Sequence, residues 1–173
     1  VAVSGSATLT AASIDMAAAA SLTAGDDGIT LTARGDVSLS KLSSTGAVSV
    51  SSTAGALTLG TSLTSDDMVT LAVGSDLTLD GQISADALVA TATAGAITQA
   101  AGNQLTLGNT TSTLTAGTGI TLTNASNDFG GTVDVTVTGA DADISLADAN
   151  GLTLGDVSAT SGTLAVTAAT DLA

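Results

Sequence analysis

The strongest feature of this sequence is a three-residue unit in which a small polar residue stands between two aliphatic residues. Ile29-Thr30-Leu31 and Val37-Ser38-Leu39 are early copies. Alternation of apolar and polar residues is typical of a β-strand with one buried face. Further copies are Val48-Ser49-Val50, Leu57-Thr58-Leu59, Val69-Thr70-Leu71, Leu77-Thr78-Leu79, Leu105-Thr106-Leu107, Ile120-Thr121-Leu122, Val133-Asp134-Val135, Ile144-Ser145-Leu146, Leu152-Thr153-Leu154 and Leu164-Ala165-Val166.

The segments between these units are short and carry turn chemistry. Gly25–Gly28, Ser52–Gly55 and Asn127–Gly131 are rich in Gly, Asp, Asn and Ser, the residues that favour turns. None is long enough to be a helical crossover, which parallel strands in ordinary folds require. Parallel strands joined without helices favour a solenoid.

The spacing of the units repeats along the chain with a period of about 40 residues. Strands that start at positions 29, 37, 48 and 57 are followed by strands at 69, 77, 88 and 97, and Ala54-Gly55-Ala56 recurs as Ala94-Gly95-Ala96. The period contains four strands and divides into two coils of about 20 residues, the scale of one solenoid turn. The sequence therefore predicts an all-β chain folded as a right-handed parallel β-helix (β-solenoid) with eight or nine coils.

The repeat loosens after Ile97, and the Thr-rich stretch 109–118 lacks a clear strand pair. We expect one continuous solenoid over residues 1–173, irregular around 101–119, taken from a much longer repetitive protein. The alternative is a pair of immunoglobulin-like β-sandwiches with a boundary near Ala101 to Gly119. Such sandwiches use bulky aromatic anchors, whereas Phe129 is the only aromatic residue here.

Composition narrows the classes of partner and chemistry. The net charge is -14, and Arg34 and Lys41 are the only basic side chains. Binding to nucleic acid or to anionic lipid needs clustered Lys and Arg, so we expect neither partner. No apolar run approaches the length of a membrane span. The chain has no His and no Cys, which removes the commonest general base and the thiolate ligands.

The segment Gly119–Ala173 resembles the repeat regions of filamentous-haemagglutinin-like adhesins, through runs such as Asn127-Asp128-Phe129-Gly130-Gly131 and Leu152-Thr153-Leu154-Gly155-Asp156-Val157. The resemblance implies the shaft of a large bacterial surface protein, secreted by a two-partner or autotransporter route and located outside the cell. Its implied role is structural support of adhesion. The implied partners are neighbouring segments of the same protein, end to end or side by side, and the surface of a host or neighbouring cell. The alternative is a solenoid surface that itself binds a glycan or receptor.

Arg34-Gly35-Asp36 spells an integrin-binding tripeptide. Under the offset of the repeat it aligns with Gly74-Ser75-Asp76, a turn that leads into a strand. Asp at such a position commonly hydrogen-bonds nearby backbone, and short motif matches are mostly coincidence. We therefore expect a plain turn, with receptor binding as the minor alternative.

Clustered aspartates are the only candidates for a metal site. Carboxylate oxygens are ligands that calcium prefers, but the Gly-rich nonapeptide of calcium-binding β-rolls is missing. We expect solvated turn acids and no cofactor, with calcium as the minor alternative. The candidate ligands are Asp26, Asp27, Asp66, Asp67, Asp141, Asp143 and Asp148.

We expect no enzymatic activity. Many β-helix proteins cleave polysaccharides, and paired Asp residues resemble a glycosidase dyad. Such a dyad needs one carboxyl kept protonated in a sheltered cleft beside residues that hold the sugar. A chain with one Phe, one Lys and one Arg has few residues to build that cleft.

The middle residues of the strand units form an outward Ser/Thr ladder, which raises an ice-binding hypothesis. Its members are Thr30, Ser38, Ser49, Thr58, Thr70, Thr78, Thr106, Thr121, Ser145 and Thr153. The second outward partners are Thr32, Ser40, Ser51, Gly60, Ala72 and Asp80. These partners are too irregular for a lattice, so an ordinary solvated sheet surface is favoured.

Overall fold

The computed structural model describes all residues, 1–173, and consists of parallel β-strands joined by short turns. It confirms the prediction of an all-β parallel solenoid, and no helix is long and apolar enough to cross a membrane. The strands are β1 (Ala7–Ala11), β2 (Ile14–Asp15), β3 (Ser21–Ala24), β4 (Ile29–Ala33), β5 (Val37–Ser44), β6 (Val48–Ser52), β7 (Leu57–Ser65), β8 (Met68–Val73), β9 (Leu77–Leu79), β10 (Gln82–Ala85), β11 (Ala87–Ala92), β12 (Ala96–Gln99), β13 (Leu105–Leu107), β14 (Ser112–Ala116), β15 (Gly119–Leu122), β16 (Asp128–Phe129), β17 (Thr132–Val137), β18 (Ile144–Asp148), β19 (Thr153–Ala159) and β20 (Leu164–Ala168).

Face 1 of the solenoid is an eight-stranded sheet in the order β1-β4-β6-β8-β11-β14-β17-β19. Ile29 pairs with Val48 in the next coil, and Val48 pairs with Val69 in the coil after that. Two successive coils therefore account for the period seen in the sequence. At a strand spacing of about 4.8 Å, eight stacked strands give a rod about 34 Å long.

A second sheet of twelve strands covers the other two sides. We define face 2 as β2, residues 37–39 of β5, residues 57–59 of β7, β9, β12, β15, β18 and β20. Face 3 consists of β3, residues 41–44 of β5, residues 62–65 of β7, β10, β13 and β16. The two faces meet inside β5 and β7, where the pairing register shifts between Leu39 and Lys41.

Face 3 corrects the expectation of two strands per coil, since a regular coil has three strand segments. Its strands place one fully buried aliphatic residue between polar neighbours, as Leu42, Leu63 and Ile83 show. A single apolar residue gives no period-two signal. The pattern of aliphatic pairs therefore revealed one strand of this face, β13, and missed the others.

The core is a column of stacked aliphatic side chains behind each face. Leu31, Val50 and Leu71 stack behind face 1, and all three are 1% exposed or less. The core comprises 38 buried residues, of which Phe129 is the only aromatic one. Each fully buried Leu or Ile contributes about 1.5–3 kcal/mol, so the stack stabilises the rod without large side chains.

The loosening of the repeat after Ile97 comes from longer corners, and the strands themselves stay in register. Leu79 is four positions before Ile83, whereas their partners Gln99 and Leu105 in the next coil are six positions apart. The step from Ile97 to its partner Ile120 is consequently longer than the preceding step on this face, from Leu77 to Ile97. The Thr-rich stretch 109–118 contains β14, which pairs with β11 and β17.

Candidate functional site

The Arg34-Gly35-Asp36 tripeptide lies at the corner between faces 1 and 2, within the backbone network that joins coils. The Gly35 N–H donates to the Ala12 carbonyl (2.7 Å), and the Ser52 hydroxyl donates to the Gly35 carbonyl (2.7 Å). The Arg34 and Asp36 side chains are exposed. The tripeptide is therefore held between two neighbouring coils and does not form a protruding loop.

The Asp36 carboxylate joins its own coil to the next. Its Oδ1 accepts a hydrogen bond from the Ala56 N–H (3.0 Å), and Asp76 accepts one from Ala96 in the same way (2.9 Å). We expected Asp36 to bond backbone near in sequence, whereas its partner lies in the following coil. The acceptor strengthens the stacking of coils, because charge-assisted bonds are stronger than neutral ones.

From residue 36 to residue 96, aspartate and alanine alternate at this corner from coil to coil, in the order Asp36, Ala56, Asp76, Ala96. The corner also alternates in length, with three residues at 34–36 and 74–76 and four at 53–56 and 93–96, which explains why the period of the sequence spans two coils of the structure. Aspartates in adjacent coils would place like charges about 4.8 Å apart, and like charges opposite each other in a sheet are destabilising.

Changing Asp36 to Glu tests whether this carboxylate is a structural acceptor or a receptor ligand. The longer side chain moves the carboxylate from the Ala56 N–H, and we expect a stability loss of up to about 1 kcal/mol with cell binding unchanged. Asp76→Glu is the matched control, because Asp76 makes the same bond without a preceding Arg-Gly. Melting curves and cell-binding assays check this, and loss of binding in Asp36→Glu alone would contradict it.

The first four calcium candidates lie at the corner between faces 3 and 1, in coils that are not adjacent. Asp26 accepts a bond from the Thr45 hydroxyl (2.6 Å), and Thr45 belongs to the coil between Asp26 and Asp66. Asp67 accepts a bond from the Met68 N–H (2.7 Å). The pairs are thus two coils apart, about 10 Å, too far to share one ion.

Asp141, Asp143 and Asp148 are likewise separated. Asp143 immediately precedes β18 and Asp148 ends it, so about 16 Å of extended strand lies between them. Asp141 bonds Ser161 of the next coil. Across residues 1–173, no group of three or more acidic side chains is placed to hold a metal ion.

Asp143 gives a pH-dependent contact between coils. The hydroxyl of Thr163 first, and the N–H of Thr163 second, lower the pKa of Asp143 from its ordinary value, through bonds of 2.7 and 2.8 Å to Oδ1. A lowered folded-state pKa means that the stabilisation is present above the unfolded-state pKa. It is lost as pH falls through the folded-state pKa.

We expect Thr163→Val to raise the pKa of Asp143, because the substitution removes the larger of the two effects. A carboxyl titration followed by NMR measures the shift. Thr167→Val, on the strand that begins directly after Thr163 but outside this contact, is the control. An unchanged titration of Asp143 in Thr163→Val would show that the hydroxyl does not hold the carboxylate.

A buried amide pair, missed at the level of sequence, interrupts two aliphatic columns. Gln99 follows Leu79 in the column behind face 2, and Asn127 follows Leu105 in the column behind face 3. The two side chains exchange hydrogen bonds of 2.7 and 3.0 Å. Asn127 is 0% exposed, and its Oδ1 also accepts the Leu105 N–H (3.0 Å).

Asp148 supplies hydrogen-bond acceptors at the end of face 3. Its carboxylate is 3% exposed and accepts the N–H groups of Phe129 (2.8 Å) and Asn150 (2.7 Å). β16, which contains Phe129, is the last strand of this face. The Asp148 side chain therefore takes the place of the carbonyl that a further strand would supply. Its position in an apparent acid cluster concealed this role in the sequence.

The outward hydroxyls become regular once they are sorted by face. Ser40, counted as outward from the sequence, is buried (4% exposed), and Gly60 and Asp80 belong to the corner between faces 2 and 3. Thr32, Ser51 and Ala72 lie in one column of face 1. The irregularity expected from the sequence came from pooling positions of different faces.

A family model described as Repeats of unknown function (DUF5649) matches residues 66–136 and 141–173. The chain belongs to this family. No curated protein and no solved structure matches the chain. The first DUF5649 match runs from the turn before β8 into β17, and so includes strands of all three faces. In this chain, the DUF5649 repeats are stacked coils of a parallel β-solenoid.

Proposed function

We propose that this chain is part of the shaft of a large secreted bacterial surface protein, located outside the cell, where it supports adhesion by holding a distal binding region away from the surface. The observation that carries the proposal is the continuous ladder of backbone bonds from coil to coil. Face 1 runs through eight strands without a break. Such a rod has a length set by the number of its coils.

The charge of the chain fits this role. A net charge of -14 keeps neighbouring rods in solution apart by mutual repulsion. Hydrogen bonds between coils hold several of the carboxylates at corners, as for Asp36 and Asp76. The acids then contribute to the stacking of the rod as well as to its solubility.

Direct binding of a glycan along the rod is the second candidate. Stacking on sugar rings uses aromatic side chains, and the one aromatic residue, Phe129, is 2% exposed. This burial favours the passive shaft. The neighbouring copies of the repeat in the parent protein are the partners that we propose for the two ends of the rod.

Adhesion by cells that display the protein with its distal region removed tests the proposal. We expect adhesion to be lost, since a shaft alone has no ligand. A second variant deletes residues 49–88, which joins Val48 to Val89 and removes two coils in register. This variant should keep adhesion while shortening the reach by about 10 Å. Retained adhesion after removal of the distal region would contradict the shaft and support direct binding.

A further inference from the structure

Face 1 carries two parallel columns of outward residues, most of them Ser or Thr. Every strand from β1 to β17 pairs residue for residue with the next, and the first register shift on this face falls between Val133 and Val135. The first column is Thr8, Thr30, Ser49, Thr70, Val89, Thr113 and Asp134. The second column is Thr10, Thr32, Ser51, Ala72, Thr91, Thr115, Thr136 and Ser158.

The columns form a two-dimensional array with a fixed repeat. Neighbouring hydroxyls are about 4.8 Å apart along the rod, and the two columns are about 6.7 Å apart along each strand. Ala72 and Val89 are the two apolar interruptions among the first six strands. Faces 2 and 3 have one comparable column each, through Thr58, Thr78 and Thr98 on face 2 and through Ser43, Thr64 and Ser84 on face 3. The double array is therefore a property of face 1.

The hydroxyls of this array make almost no hydrogen bonds within the protein. The one bond among them joins Ser51 to Thr32 at 3.4 Å. Hydroxyls at the corners behave differently, because Ser44, Ser52 and Thr110 each donate to a group in a neighbouring coil at 3.0 Å or less. The corner hydroxyls hold coils together, whereas the array leaves its hydroxyls free for an external partner.

Face 1 differs from the rest of the surface because most of its strands contain no charged residue. None of the strands β1, β4, β6, β8, β11 and β14 contains a charged residue, although the chain carries a net charge of -14. An ionic partner, such as a basic protein or a charged polysaccharide, would find no charge to pair with there. Face 1 also has no aromatic side chain to stack on a sugar ring, since the one aromatic residue, Phe129, is buried.

We infer that face 1 binds the surface of ice. A single hydroxyl gains little from ice over liquid water, because the liquid supplies the same hydrogen bonds. An array with a fixed repeat distinguishes the two, since only the crystal holds its waters at fixed spacings, and the many weak contacts then act together. The two repeats of the array are longer than one hydrogen bond between waters and are on the scale of the repeat distances of the ice lattice.

Incorporation of the fluorescently labelled chain into a slowly growing ice hemisphere tests this inference. We expect the chain to be taken into the ice and Thr91→Tyr, which places a bulky ring in the middle of the array, to be incorporated about fivefold less or worse. Thr64→Tyr is the matched control on face 3 and should behave as the parent chain. Thr32→Tyr, three strands from Thr91, replaces Thr91→Tyr if melting shows that variant to be unfolded.

Three results would overturn the inference. The first is exclusion of the parent chain from ice to the same extent as serum albumin. The second is equal loss in Thr64→Tyr and Thr91→Tyr, since the effect would then not depend on face 1. The third is retention on crystalline chitin or cellulose together with exclusion from ice, which would assign the array to a glycan lattice. None of these results depends on whether the rod is a shaft.

Discussion

Replacing Asn127 with leucine is expected to destabilise the chain by about 3 kcal/mol, although it restores the aliphatic column behind face 3. The substitution removes the partner of the Leu105 N–H and the two bonds that join Asn127 to Gln99. The Gln99 amide keeps its bonds to the Asn103 carbonyl and the Asn124 N–H. The Leu105 N–H left without a partner costs about 1–3 kcal/mol, and each lost bond between the amides costs about 1 kcal/mol. The sum exceeds the gain from burying one more leucine. Asn150→Leu, at an exposed position, is the control and should change stability little.

The double variant Gln99→Leu/Asn127→Leu shows whether the two amides act as a pair. Removing both partners of a hydrogen bond is less harmful than removing one. We therefore expect the double variant to lose about 1–2 kcal/mol less than the sum of the single losses. Urea denaturation of the four proteins measures this coupling. Additive losses would show that each amide is held by its backbone contacts alone, such as the bond from Asn127 to Leu122.

Most strands of faces 1 and 2 could be predicted because they place two aliphatic residues around a small polar one, as in Val69-Thr70-Leu71. The strands of face 3 other than β13 could not, since a strand such as Ser62-Leu63-Thr64 places one aliphatic residue in the core. The period of the sequence was visible as spacing, but its cause was not. Its cause is the alternating length of the corner between faces 1 and 2, three residues at 34–36 and four at 53–56, which becomes apparent only when adjacent coils are aligned.

The polar residues that matter most were hidden by their neighbours in sequence. Asn127 lies in a run that reads as a turn, and Asp148 lies near two exposed acids. Their roles depend on partners in other coils, Gln99 and Phe129, at offsets that change where the corners lengthen. The hydroxyl array was also beyond the sequence pattern, because assigning outward positions to a face requires knowing where each coil turns.

Two deletions of one coil each should differ in stability although both keep the coils in register. Deletion of residues 38–57 joins Val37 to Thr58, and deletion of residues 58–77 joins Leu57 to Thr78. The deletions are equal in length and each removes one layer of the core, because Val37 pairs with Leu57 and Leu57 pairs with Leu77 on face 2. We expect the first variant to be about 2 kcal/mol less stable than the second at pH 7 and low salt.

The difference arises from the order of the acids. Deleting 38–57 removes the coil with Ala56 and Thr45, so that Asp36 stacks on Asp76 and Asp26 stacks on Asp66. Deleting 58–77 removes Asp66, Asp67 and Asp76, and leaves Ala56 beside Asp36 and Thr45 beside Asp26. Two pairs of carboxylates about 5 Å apart on the surface repel by about 1 kcal/mol each, and the removal of Lys41 in the first deletion acts in the same direction.

Thermal melts at high salt and at low pH distinguish repulsion between carboxylates from a difference in core packing as the cause of the stability gap. Thermal melts in 1 M sodium chloride should narrow the gap, because a Debye length of about 3 Å screens charges at this separation. Melts near pH 3 should narrow it further, since protonation of the stacked carboxylates removes the charge itself. A gap that stays constant across salt and pH would place its origin in the core, and the alternation of Asp with Ala would then need a cause other than like-charge repulsion.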